Sequence, residues 1–209
     1  MKGWDQDLFW KMNRDWVHPV LDWLMPVLSA IDVWVPVLAL VLVVYVWRMR
    51  VKGVVLLVAL TLALAVSDGV VGKSLKSLIG RARPRDVMSE VVIRDVAKAK
   101  PRMLALFKPT VSKLSKVKEP ATSGNSLPSN HTMNLFAAAT VVALFYRRWG
   151  MALYLVAGLV AWSRVYVGAH WPSDLPPSAG LGLLIGLGAV WLTRRWFGLR
   201  DEGKLVLPE

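Results

Sequence analysis

The chain has no cysteine among its 209 residues, which excludes disulfides and thiolate metal sites. It is also short of acid: 14 Asp and Glu stand against 26 Lys and Arg, a formal charge of +12. Such an imbalance implies an anionic partner. In a chain that is 55% hydrophobic, with a mean hydropathy of +0.45, that partner is expected to be lipid, or a lipid carrying phosphate, and not nucleic acid. The opening residues, Met1 to Asp7, lack the apolar core of a cleavable signal peptide, so the first hydrophobic segment is expected to stay in the mature protein.

What is present is a series of apolar blocks, at about 16–31, 33–47, 53–72, 131–146, 151–168 and 177–197. They predict an all-α single domain over 1–209, a bundle of six transmembrane helices, the first two interrupted by Pro19, Pro26 and Pro36. Ahead of them, Trp4, Leu8, Phe9, Trp10 and Met12 alternate with charged residues and predict an amphipathic helix on the membrane surface. Arg48, Arg50 and Lys52, then Arg147 and Arg148, then Arg194, Arg195, Arg200 and Lys204 flank the spans, and with Lys2, Lys11 and Arg14 they are expected on the cytoplasmic side. The segment from 73 to 130 then faces outward, its basic, apolar-spotted stretch at about 86–127 forming an interfacial loop broken by Pro101 and Pro109.

Three clusters carry chemistry. In Ser163-Arg164 through His170 to Asp174, the arginine is a candidate anion clamp. His170 with Asp174 four residues on reads as an imidazole whose tautomer a carboxylate fixes, or, more plainly, as Asp174 capping the next helix. In Lys76 to Arg83-Pro84, seven residues put two cations on one helical face about 10 Å apart, with Pro84 ending the helix, unless both are lipid-facing anchors. In Pro128-Ser129-Asn130-His131, Ser129 or Asn130 caps a helix whose free N–H groups favour an anion, with His131 able to give a proton to a leaving oxygen. A chain of six spans brings all three clusters to one side.

Of the remaining features, Ser67 and Asp68 are expected to hydrogen-bond helix to helix. Trp34, Trp47, Trp149, Trp171, Trp191 and Trp196 are expected as interface anchors, and Gly180, Gly182, Gly186 and Gly188 as a close-packing face of the last helix.

Together, Lys76-x6-Arg83-Pro84, Pro128-Ser129-Asn130-His131 and Ser163-Arg164-x5-His170-x3-Asp174 resemble the three-part signature of the type 2 phosphatidic acid phosphatase (PAP2) superfamily of membrane lipid phosphatases. Asn130 departs from the family's usual glycine, and Leu175-Pro176-Pro177 from its small helix formers. The resemblance implies metal-independent hydrolysis of a lipid mono- or diphosphate at the outer face, with His170 as nucleophile, Asp174 holding it and His131 as proton donor. Lys76, Arg83, Ser129, Asn130 and Arg164 would bind the phosphate, with no cofactor. It implies residence in the bacterial inner membrane with the site facing the periplasm. A lipid phosphotransferase would keep every motif residue; a non-catalytic anionic-lipid binder or transporter would not need both histidines and the aspartate.

Overall fold

A computed structural model describes residues 3–197. Lys2, Arg200 and Lys204, invoked above for orientation, lie outside them. The chain runs α1 (Gly3–Trp10), continued by a π turn to Asp15, then α2 (Pro19–Ser29), α3 (Ile31–Met49) and α4 (Val51–Ala65). A π stretch (Val66–Gly72) leads into α5 (Lys73–Ile79), and α6 (Pro84–Val87) follows. Next come β1 (Val92–Asp95), a 3-10 turn (Arg102–Phe107) and β2 (Val111–Leu114). The last part is α7 (Asn130–Phe145), α8 (Arg147–Tyr166), a 3-10 turn (Pro172–Asp174) and α9 (Leu175–Trp196). Among the described residues, three helical stretches, Ile31–Met49, Val51–Val87 and Pro172–Trp196, are long and apolar enough to cross a membrane.

One of three core clusters joins the long helices. Leu56, Ala59 and Ala63 of α4 meet Ala137 and Val141 of α7 and Ala189 and Val190 of α9. Small residues let α7 and α9 approach closely: a Cβ on Gly182 would lie 2.4 Å from the Met133 carbonyl, and one on Gly186 2.6 Å from Thr140 Cβ. Gly180 and Gly188 have open space there, so two of the four expected packing glycines perform that task.

The turns at one end are tied together by Tyr45 Oη donating to Tyr146 Oη (2.7 Å) and by Arg194 donating to the Leu144 carbonyl (3.1 Å). That end carries the α3–α4 turn, the α7–α8 turn and the end of α9, so five long helices run alternately between it and the opposite end. The segment read as the first span behaves differently. α2 has 11 residues, about 16 Å of helix against a hydrocarbon core of about 30 Å. Asp22 near its start accepts from Tyr166 and pairs with Arg94 of β1 (both 2.7 Å), while Val27 packs with Val96 and Ala105 of the 86–127 segment. Both ends of α2 therefore lie at the end opposite the Tyr45–Tyr146 turns.

α1 is there too. It is helical as expected, but without a clean apolar face: Trp4 is exposed, Phe9 packs against Trp171 and Val165, and Asp5 and Asn13 are buried in protein. This corrects the placement of Lys11 and Arg14: they belong with the 86–127 segment, not with Arg48 and Arg147. Trp171 is likewise no interface anchor, being fully buried with its indole N–H on the Ala82 carbonyl (2.9 Å). Trp47, Trp149, Trp191 and Trp196 are exposed, as anchors are.

The 86–127 segment is not a plain loop: it folds into a short hairpin with a 3-10 turn between its strands. β-branched Val92, Ile93 and Val111 suit a strand, and β1 pairs antiparallel with β2, Ile93 opposite Lys113 and Asp95 opposite Val111. Arg94 anchors this hairpin: it pairs with Asp22, donates to the carbonyls of Asn13 (2.9 Å) and Tyr166 (3.2 Å), and stacks on the Tyr166 ring.

Candidate active site

His170 lies in the turn between α8 and α9 and is almost fully buried. Its Nδ1 is 2.6 Å from the Ser126 carbonyl oxygen. A carbonyl can only accept, so Nδ1 carries the proton and Nε2 keeps a free lone pair. Asp174 was expected to make that bond. Its Oδ2 is instead 3.6 Å from Nδ1, beyond hydrogen-bond range, because its oxygens are taken by the Ser126 hydroxyl (2.5 Å), the Trp171 N–H (2.9 Å) and Arg81 (2.6 Å). Asp174 thus fixes the backbone that orients His170, and the tautomer comes out the same. The capping reading holds only in part: the carboxylate caps the short 3-10 turn through Trp171 and does not cap α9.

Burial pushes the His170 imidazole below its ordinary value, with Asp174 opposing and Arg164 reinforcing the shift. The downward shift favours the neutral ring at about pH 7. The sign also works for stability: the unfolded chain takes up this proton more readily, so the contribution is present above about pH 6.5 and is lost as pH falls through the depressed folded value. An NMR titration comparing the protein with His170→Gln should place the His170 resonance below the ordinary imidazole range; a midpoint at or above about 6.5 would contradict the buried neutral ring.

The cations converge by a different route from the one the spacing suggested. α5 ends at Ile79, because Gly80 turns left-handed (φ 59°) and donates back to the Lys76 carbonyl (3.0 Å). Arg83 then lies on extended chain and Pro84 opens α6 instead of ending a helix. Lys76 and Arg83 still lie within electrostatic reach of each other, and His131 within reach of Arg164, His170, Lys76 and Arg83. Arg164, in the last turn of α8, donates to the Ser29 hydroxyl through one terminal nitrogen, while its Nε and that of Arg83 are buried without a partner.

Ser129 occupies the N-cap position of α7 but makes no side-chain cap; its N–H is held by Ser178 (2.8 Å) and its hydroxyl receives Thr132 (3.1 Å). The first-turn N–H groups of Asn130 and His131 have no intrahelical acceptor. The Asn130 side chain swings away toward Asp68, donating to Oδ1 (2.6 Å), and Asn134 takes Oδ2 (2.9 Å) while Ser67 donates to Asn134 (2.5 Å). The helix-to-helix bonding expected of Ser67 and Asp68 is present, with Asn130 among its partners. Gly72 makes room for that amide, since a Cβ there would meet Asn130 Oδ1 at 3.0 Å. The other departure is also accommodated: α9 has proline in its first turn, where it costs no hydrogen bond.

Three participants were not singled out beforehand. Arg81 bridges Asp174 and Asp5 (2.6 Å each) and reaches Ser173 (2.8 Å), Asp5 of α1 accepts from the Ser173 N–H (2.9 Å), and Ser126 links Asp174 to His170. No motif marks them. Among the described residues no group of three or more His, Asp or Glu is placed to hold a metal ion.

The fold and the site describe a helical membrane protein in which three cations and two histidines gather near one end. The chain belongs to the PAP2 superfamily, whose family model matches residues 52–199. It is 29% identical over 177 residues to an undecaprenyl-diphosphatase of Sulfolobus acidocaldarius, covering 83% of this chain and 70% of that protein. It is 37% identical over 76 residues to a lipid A 1-phosphatase of Porphyromonas gingivalis, a match covering 34% of this chain and only 17% of that protein's length. The crystal structure of Aquifex aeolicus LpxE has the same fold, with a TM-score of 0.62 at 23% identity, covering 89% of this chain and 94% of that one.

Proposed function

We propose that the protein hydrolyses the terminal phosphate of a membrane lipid through a phosphohistidine on His170. The observation that carries this reading is the pair of buried guanidinium Nε donors, on Arg83 and Arg164, that lack partners near a histidine with a free Nε2. Buried donors of that kind call for an anion.

In the proposed reaction Nε2 of His170 attacks phosphorus in line, a P–N bond forms, and the P–O bond to the lipid breaks as His131 protonates the departing oxygen. Water then attacks the phosphohistidine, His131 takes its proton, and phosphate leaves. Lys76, Arg83 and Arg164, with the Ser129 hydroxyl and the N–H groups of Asn130 and His131, hold the equatorial oxygens, and their three positive charges balance the charge that builds in the transition state.

The α2 geometry favours five membrane crossings, by α3, α4–α5, α7, α8 and α9, with α1 and α2 resting on the site face. Arg48, Arg50, Lys52, Arg147, Arg148, Arg194 and Arg195 all sit at the far end, and the positive-inside trend supports a cytoplasmic far end with the site outside, at the plasma membrane. A polyprenyl diphosphate or a phosphorylated glycolipid, the kinds of substrate named in the relatives, would enter from the membrane.

Purified protein in detergent, assayed with and without EDTA on phosphatidate, phosphatidylglycerol phosphate, a polyprenyl diphosphate and a phosphorylated glycolipid, should release phosphate from at least one of them in a chelator-resistant way. Vanadate should inhibit, since its five-coordinate adduct mimics the in-line transition state. Insensitivity at millimolar vanadate would count against the site.

A further inference from the structure

Between α6 and the outward face of the β hairpin lies an open cavity of about 900 Å³ that the proposed chemistry does not use. Strand alternation builds it. The Arg94 side chain turns toward the Asn13 and Tyr166 carbonyls at the base of the His170 turn, so by alternation its neighbours Ile93 and Asp95 point the other way and line the cavity, alongside Lys113, which the register sets opposite Ile93. Lys98 and Lys116 complete this wall, and Arg85 with Asp86 forms the opposite one. Four cations face two carboxylates, so the cavity is net positive. It lies near the phosphate site: Arg85 in its wall is two residues from Arg83 and within electrostatic reach of both Arg83 and Arg164.

A single phosphate fills only a small part of such a volume; cavities of about 300–1,000 Å³ hold ligands the size of a drug molecule. We infer that this cavity receives the polar head of the lipid substrate and that Lys98, Lys113 and Lys116 bind a second anionic group carried by that head, away from the phosphate being cleaved. This rests on the lipid-phosphate reading of the site and narrows its substrate class to lipids with a bulky head bearing two anions. A lipid whose head is the scissile phosphate alone would leave the cavity empty.

The three lysines are exposed, so the triple variant Lys98→Glu/Lys113→Glu/Lys116→Glu disturbs no buried contact. Its kinetics should be compared with wild type in uncharged detergent, on a glycolipid with two phosphates and on phosphatidate. KM for the bisphosphorylated glycolipid is expected to rise about tenfold or more, with KM for phosphatidate within about twofold of wild type. Equal change on both lipids, or on neither, would overturn the inference. So would an effect seen only when non-substrate phosphatidylglycerol is added, because the cavity would then hold a neighbouring lipid. Direct binding of the two lipids to His170→Ala, with and without the triple change, separates this inference from the proposed reaction. If wild type released no phosphate at all, selective loss of bisphosphorylated-lipid binding in the triple variant would still support the cavity, and unchanged binding would refute it.

Discussion

His170→Ala should lower phosphate release by about 10⁴-fold or more, because removing the nucleophile leaves only binding and electrostatic stabilisation. The substitution also strips the Ser126 carbonyl of its buried donor, which costs about 1–3 kcal/mol and calls for a thermal-melt control. His131→Ala should fall less, by about 10²–10⁴-fold, and the loss should shrink on an aryl phosphate, whose leaving group needs no proton. That contrast separates the two histidines: good leaving groups rescue a missing acid and cannot rescue a missing nucleophile. A pure lipid binder would show none of this pattern, and wild-type turnover by His170→Ala would sink the phosphohistidine mechanism.

The charged centre of the site was legible because its residues are polar in an apolar chain and their order along alternating helices forces them to one end. The details were hidden where geometry depends on a turn. Lys76 and Arg83 look like one helical face by spacing, yet Gly80 breaks the helix between them, and only the left-handed cap reveals it. His170 and Asp174 look like a direct pair at i+4, yet a backbone carbonyl from 44 residues away makes the closer contact, and backbone acceptors leave no trace in composition. α2 reads as a span because it is apolar; that its Val27 packs against Val96 and Ala105 of the 86–127 segment is a tertiary fact. The hairpin itself is concealed by its short strands, four residues each, which carry Arg94, Asp95 and Lys113 among their apolar residues.

Arg81→Lys is the variant that tests how far the N-terminal helix belongs to the site. The Arg81 guanidinium uses separate nitrogens for two carboxylates, Asp5 on α1 and Asp174 beside His170, and both acids are almost wholly buried. An ammonium has the same charge but no planar fork, so it can satisfy one acid well and leaves the other short of a partner. An uncompensated buried charge costs about 3–5 kcal/mol when its partner is removed outright; with the charge retained, a loss of about 1–3 kcal/mol is expected. Asp174 also sets the Ser126 backbone through its hydroxyl, and Ser126 in turn sets the His170 tautomer. Any shift of that carboxylate therefore reaches His170, the proposed nucleophile, and a misplacement of about 1 Å is enough to reduce the rate roughly 10²-fold. Arg81→Lys should lower kcat by about 10- to 100-fold with little change in KM, and Asp5→Asn should reproduce a milder version of both effects from a residue on α1 that lies outside all three motifs. Full turnover together with a wild-type melting temperature in Arg81→Lys would show that the bridge only decorates the site; a matching fall in kcat in Asp5→Asn would make α1 a working part of it, transmitting through Arg81 to the histidine.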